Sequence, residues 1–396
     1  MAVDASALSR RTFFRLAATA SALAAVPILT EPHLAQAQRR RFHMEAYPAG
    51  AIRIDANENP LGPCAAACTS ISSMIAEGGR YDTDLTFKLA ETFAAMEGLK
   101  SEYVMPYAGS SEPLHYTVLA FTSPEKPFVT ADPGYEAGMR AADLKGAKVI
   151  KVPLTATHAH DVKAMVAADP NAGVIYICNP NNPTGTTTPH EDIAYALANK
   201  PKGSILLIDE AYIHFSDTTS SLDLVKADKD VIVLRTFSKI YGMAGIRCGF
   251  AIGRPDLLEK LQYFGMNAMP ITAVAAATAS LQDKDVVPQR KKLNAEIRSE
   301  TFEWLTANNV TFIPSESNCF MMDTRRPGRD VMTAMAKQDV FIGRVWPVMP
   351  TWVRITVGTR AEMAKFQSAY KQVMNASNAE LALPALDRSH RFSVLS

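Results

Sequence analysis

The sequence predicts an α/β protein: a large domain with a mostly parallel central sheet between helices, followed by a smaller α/β domain. Two observations carry this. From Ile52 onward, short β-branched apolar runs alternate with longer amphipathic stretches, the pattern of strands alternating with helices. After Gly253 the character changes, with Arg254-Pro255-Asp256 opening a long helical stretch and an alanine-rich, helix-compatible run from Ile271 to Leu281.

The clearest strands run from Lys148 to Val152, Gly173 to Cys178, Ile205 to Ile208 and Val231 to Thr236. Each ends in a loop rich in Pro, Asn, Gly, Ser or acidic residues, and open parallel sheets bind ligands beyond the carboxyl ends of their strands. The smaller domain is expected to hold strands at Val310 to Ile313, Asn318 to Met322 and Trp352 to Val357. The expected boundaries are an arm at 38–75 that joins the smaller domain, the large domain at 76–267, the smaller one at 268–375 and a weakly patterned tail at 376–396.

With 396 residues, of which 47% are hydrophobic and 20% charged, the chain can fill more than one core, which excludes the disordered and fibrous classes. A formal net charge of +1 offers no field to nucleic acid or to an anionic membrane, so the expected partner is a small molecule. Five cysteines form neither a disulfide framework nor a metal pattern. Cys64 and Cys68 are spaced as neighbours on one helix face, but without nearby His or Cys partners they read as buried small residues and not as metal ligands.

The first segment reads as an address. Ser9-Arg10-Arg11-Thr12-Phe13-Phe14-Arg15 precedes an apolar stretch from Leu16 to Leu29, and Ala35-Gln36-Ala37 supplies a small-x-small cleavage pattern. The stretch, interrupted by Pro27 and followed by Glu31 and Pro32, is short for a membrane span. This segment, 1–37, resembles a twin-arginine export signal, which implies a mature chain beginning near Gln38 in a bacterial periplasm, with no permanent membrane association.

Chemistry-bearing residues gather in the loops after strands. The stretch from Thr236 to Arg247 holds Lys239, with Ser238 before it and glycines at Gly242 and Gly245 ahead of Arg247. Asp209 closes the strand that starts at Ile205, and Tyr212 lies three residues on; alone, the Asp209-Glu210 pair would read as a helix amino-terminal charge. Asn179-Pro180-Asn181-Asn182-Pro183-Thr184-Gly185 reads by itself as a turn that holds Asn182 rigidly between prolines. Gly109, Ser110 and Ser111 precede a helix start, where a serine N-cap is the plain alternative, and Tyr135 follows Asp132-Pro133-Gly134.

Together these supply a lysine for an aldehyde, an acid for a pyridine nitrogen, donors for a phenolic oxygen, a cradle for a phosphate and a flat partner for a ring. Those are the needs of pyridoxal 5'-phosphate. Lys239 is the candidate Schiff-base lysine. Asp209 suits the ring nitrogen, Tyr212 and Asn182 the phenolic oxygen, and Tyr135 the ring face. Gly109, Ser110, Ser111, Ser238 and Arg247 suit the phosphate.

The motifs resemble the fold-type I aminotransferases of the class I/II superfamily, most closely the histidinol-phosphate aminotransferase branch. The resemblance runs from Ile52 to about Met374 and includes Asn57-Glu58-Asn59-Pro60-Leu61-Gly62-Pro63 and Val353-Arg354-Ile355-Thr356-Val357-Gly358-Thr359. It implies that Arg354 binds the substrate α-carboxylate. It also implies that Tyr81 reaches the phosphate of a neighbouring subunit in a homodimer, and that Arg344 lies near an arginine kept for a distal phosphate. The implied reaction is ping-pong transfer of an amino group from an amino acid or histidinol-phosphate-like donor to a 2-oxo acid. Trp346 and Trp352 leave an aromatic amino acid open as the donor, and a decarboxylase of the threonine-phosphate type would use the same lysine.

Overall fold

The computed structural model describes residues 28, 30, 31, 33–35, 47–265 and 268–375. The twin-arginine motif and apolar stretch within 1–27, and the tail at 376–396, lie outside the described residues. In chain order the elements begin with β1 (Ile52–Ile54), α1 (Ala65–Met74), α2 (Thr83–Glu97), β2 (Val104–Tyr107), α3 (Ser111–Phe121), β3 (Phe128–Asp132), α4 (Ala137–Lys145) and β4 (Val149–Pro153). They continue with α5 (Val162–Ala167), β5 (Val174–Cys178), α6 (His190–Asn199), β6 (Ile205–Asp209), α7 (Leu222–Lys226), β7 (Val231–Thr236), β8 (Gly249–Gly253) and α8 (Pro255–Gln262). The last are α9 (Ile271–Gln282), α10 (Val286–Ala307), β9 (Cys319–Asp323), α11 (Gly328–Ala336), β10 (Val340–Ile342), β11 (Trp352–Thr356) and α12 (Arg360–Asn375).

Local chemistry explains several boundaries. The Asp82 side chain accepts from the Leu85 N–H at 3.2 Å and so caps α2, which ends at Gly98 in the left-handed region at φ 64°. Pro255 occupies the first turn of α8, where its missing N–H would have had no intrahelical partner.

The large sheet has seven strands in the order β2-β8-β7-β6-β5-β3-β4. All run parallel except β8, which pairs antiparallel with both β7 and β2. Strands β5, β6 and β7 are buried along their whole length, as expected of central strands covered by helices on both faces. The crossovers bring the carboxyl ends of β3, β5, β6 and β7, at Asp132, Cys178, Asp209 and Thr236, to one edge of the sheet.

The smaller unit pairs β1 with β10 in parallel and β9 with β11 antiparallel. Its core, including Ile54, Leu305, Phe320, Val353 and Phe366, is separate from the larger one. Three expectations change. Residues 271–282 were expected in the smaller domain, but α9 packs its buried face, including Val274, Ala277 and Leu281, into the larger core beside Ala67 of α1. The passage to the smaller core therefore runs along α10, which contributes Val286 to the larger core and Ile297 and Leu305 to the smaller. Val310 to Ile313 forms no strand, and Phe312 makes only a single bridge to Met322. Cys68 is exposed, whereas Cys64 is buried.

One ion pair is buried at the sheet. Arg235 of β7 is 5% exposed, its Nε 2.7 Å from Glu210 Oε2 and its Nη2 donating to Ser220 Oγ at 2.9 Å. Glu210 also accepts the Ser221 N–H at 2.6 Å, so the pair fixes the chain just after Asp209. Arg235→Met is expected to strand the Glu210 carboxylate and cost about 3–5 kcal/mol. Adding Glu210→Gln should restore most of that. Chemical denaturation of the single and double variants checks this, and a single-variant loss below about 1 kcal/mol would contradict the pairing.

Candidate active site

Strand β7 returns to β8 through the loop that carries Lys239. Gly242 permits the turn at φ 67°, where a Cβ would overlap the Gly62 carbonyl. The turn points Lys239 into the cleft between the two cores. Its Nζ donates to Asn57 O at 3.0 Å and to Ala56 O at 3.4 Å. Burial lowers the lysine pKa, against an opposing pull from Glu31, which favours the neutral, nucleophilic amine.

Asp209 lines the same cleft from the end of β6. Its Oδ2 accepts from the Tyr176 hydroxyl at 2.9 Å and its Oδ1 from the Ala211 N–H at 3.1 Å. No cation pairs with it among the described residues, and burial pushes its pKa up to about 6 despite both hydrogen bonds. A buried carboxylate facing a cleft without a counter-charge fits a protonated pyridine nitrogen. Tyr212 is buried beside it, and the Tyr212 ring centre is 5.5 Å from Lys239 Nζ. Its hydroxyl accepts from Asn57 Nδ2 at 2.9 Å, which leaves its own proton free to donate into the cleft.

Arg247, Ser238 and the start of α3 form an anion cradle. Arg247 is held by its Nη1 on Ala244 O at 2.8 Å and its Nη2 on Ala108 O at 3.1 Å, with Ser238 Oγ 3.4 Å from Nη1. Gly109 adopts φ 92°, and a Cβ there would overlap Arg247 Nη2. Ser110 precedes α3 without a side-chain capping bond, so the plain N-cap alternative fails and Ser110 and Ser111 present hydroxyls and the helix start to the cleft. Tyr135 is buried and lines the cleft with them. The donor set fits a phosphate, and together with Lys239 and Asp209 it fits pyridoxal 5'-phosphate.

On the other wall stands Arg354 of β11, fully buried, with Nη1 donating to Asn182 Oδ1 at 2.9 Å and Nη2 to Asp55 O at 2.6 Å. Arg344 lies beside it, 3.0 Å from Glu136, and both guanidiniums rest over the Trp346 ring at 4.7 and 5.7 Å from its centre. Asn182 thus stands on the substrate side, joined to Arg354. Tyr81 is not brought to this cleft. It is 90% exposed and lines a separate hollow with Phe87, Met105 and Met269.

Sequence reasoning missed Asn57, which joins Lys239, Tyr212 and Thr356, and it missed Glu31, whose carboxylate reaches both arginines. Asn57 had a weak signal, a turn-forming Asn-Glu-Asn-Pro; Glu31 had none. Among the described residues no group of His, Cys, Asp and Glu is placed to hold a metal, and no helix is long and apolar enough to cross a membrane.

The Asp209 geometry gives a pH test. Its folded pKa lies above the ordinary 3.8, so its contribution to stability is full below about 3.8 and is lost as pH rises through about 6. Cofactor-free Asp209→Asn should therefore melt higher than the cofactor-free wild type at pH 8, by on the order of 2 kcal/mol, and not at pH 4. With cofactor bound the order should reverse. Parallel melting curves at both pH values would contradict the uncompensated charge.

The sequence model for "Aminotransferase class I and II" matches residues 51–369. A histidinol-phosphate aminotransferase of Symbiobacterium thermophilum is 32% identical over 330 residues, covering 82% of this chain and 90% of the relative. One from Moorella thermoacetica is 31% identical over 334 residues, covering 82% of this chain and 85% of the relative. The crystal structure of histidinol-phosphate aminotransferase from Sinorhizobium meliloti in complex with pyridoxal-5'-phosphate superposes with a TM-score of 0.77 at 25% identity, covering 96% of this chain and 100% of that one. With a fold, a cleft and a sequence match that agree, the chain belongs to the class I and II aminotransferases.

Proposed function

We propose that this pyridoxal-phosphate-dependent aminotransferase works in the periplasm as a homodimer, on a donor with an anionic distal group of the histidinol-phosphate kind and a 2-oxo acid acceptor. The observation that carries the reaction class is the buried Lys239 amine facing Asp209, Tyr212 and Arg247, with Arg354 on the opposite wall. The cofactor, when bound, draws electrons from the substrate carbon that bears the amine. This chain's residues do the rest. With the cofactor bound, Asp209 would hold the ring-nitrogen proton, Tyr212 would donate to the phenolic oxygen, and Arg247, Ser238 and the start of α3 would anchor the phosphate. Arg354 and Asn182 would orient the α-carboxylate, and the Lys239 amine would take and hold the proton from the α-carbon.

Arg344 beside Arg354 supports an anionic distal group. Trp346 is covered by both guanidiniums and its indole N–H donates to Gly134 O at 3.0 Å, so its ring is engaged and the case for an aromatic donor weakens. Support for the dimer is the exposed apolar set Ile75, Tyr81, Phe87 and Tyr263 around the α1–α2 region and the end of α8, with Tyr81 turned away from its own cleft. The twin-arginine pattern at Ser9 to Arg15 supports export of a folded, cofactor-loaded enzyme.

The purified protein is expected to show a visible cofactor band that glutamate or histidinol phosphate converts to the pyridoxamine form, more readily than phenylalanine does. Lys239→Ala should abolish the band, and Arg354→Lys should lower kcat/KM on the order of 100-fold, about 2.7 kcal/mol. Carbon dioxide release in place of amino transfer would point to the decarboxylase, and preference for phenylalanine would remove the anionic-donor reading. Separately, protein recovered from periplasm should begin at Gln38 and sediment as a dimer. An intact Met1 there removes the cleavage claim, and a monomer removes the dimer.

A further inference from the structure

Glu31 belongs to the segment read as the export leader, yet it is 7% exposed and lies in the cleft with Lys239 and Asp209. Its carboxylate meets Arg354 Nη2 at 2.7 Å, Arg344 Nε at 3.1 Å and Arg344 Nη2 at 3.3 Å, and accepts from Asn182 Nδ2 at 3.3 Å. Arg354 and Asn182 are the two groups that stand ready for a substrate α-carboxylate. The contact does not rest on one charge. The Leu34 N–H donates to Thr30 O at 3.1 Å, Thr30 shares the cleft lining, and Ile28 and Leu34 pack against the larger core. Burial alone would raise the Glu31 pKa, but the guanidiniums of Arg344 and Arg354 overcome it and hold the carboxyl at about 2.

We propose that Glu31 is a built-in pseudo-substrate: in the full-length chain its carboxylate takes the substrate carboxylate's place on Arg354 and Asn182, and removal of the leader opens the site. The idea rests on the aminotransferase reading of that site. A tethered group competes at an effective concentration in the millimolar range, enough to exclude free amino acids of ordinary affinity. The enzyme would then travel closed and become competent where the leader is lost. Ala35, the first residue of the cleavage pattern, is 3% exposed in the docked arrangement, so cleavage requires the segment to lift first.

The test compares the full-length chain, full-length Glu31→Ala and the processed form that begins at Gln38. Succinate, a dicarboxylate that carries no amine and cannot transfer one, is titrated calorimetrically into each. The expected result is binding at least tenfold tighter to the variant and the processed form than to the full-length chain, with a matching fall in donor KM and little change in kcat. Equal succinate affinity in all three, or no binding to the two opened forms, overturns the proposal. If succinate discriminates as expected but no donor transfers an amino group to any form, the docking stands and the aminotransferase reading fails instead.

Discussion

Asn57 is the joint on which the site depends. It is fully buried between the two cores, and its polar atoms bond residues of both units. Its backbone N–H donates to Thr356 Oγ1 at 2.9 Å, its carbonyl accepts from Lys239 Nζ at 3.0 Å and from Asn318 Nδ2 at 3.2 Å, and its side chain donates to Tyr212 at 2.9 Å. Hydrogen bonds in a dry interior must all be made or they cost stability, so these contacts set the two units at one distance. Lys239 from the larger unit and Arg354 from the smaller one are brought to the same site by these contacts.

The charges in the protein fall into two groups by how they are compensated. Arg235 and Glu210 form a closed pair that completes itself inside the fold. Asp209 and Lys239 are buried and Arg247 is partly buried, each with hydrogen bonds but without ion-pair partners among the described residues, and desolvation shifts each of them toward its neutral form. Unpaired buried charge is costly in a structural core and useful in a site, because a ligand carrying the opposite charges removes the cost when it binds. Asp209 lacks a cation and Arg247 an anion, and a phosphate joined to a protonated ring supplies both.

The central strands were legible in the sequence because β5, β6 and β7 are covered on both faces and therefore read as unbroken apolar runs. β2, with its Pro106, and β8, bounded by Gly249 and Gly253, were not, since their pairing comes from distant chain and not from local propensity. The reverse error occurred at Val310 to Ile313, where a β-prone run found no partner beyond one bridge. The boundary near 268 was misplaced because an alanine-rich helix carries no mark of which core it will join; α9 went to the core whose helix α1 offered a small-residue face at Ala67.

By itself the sequence determined the reaction class and the cofactor, and it named the residues that the structure gathers in one cleft. Asp209 closes β6, and Lys239, Tyr212, Ser238 and Arg247 lie two or three residues beyond strand ends or in the turn between two paired strands, so the strand order brings them to one edge of the sheet. Tertiary structure decided what lies opposite. Asn57 is separated from Tyr212 by 155 residues and from Thr356 by 299, and Glu31 from Arg354 by 323. Contacts of that span arise only when two cores close on each other, which no local pattern records.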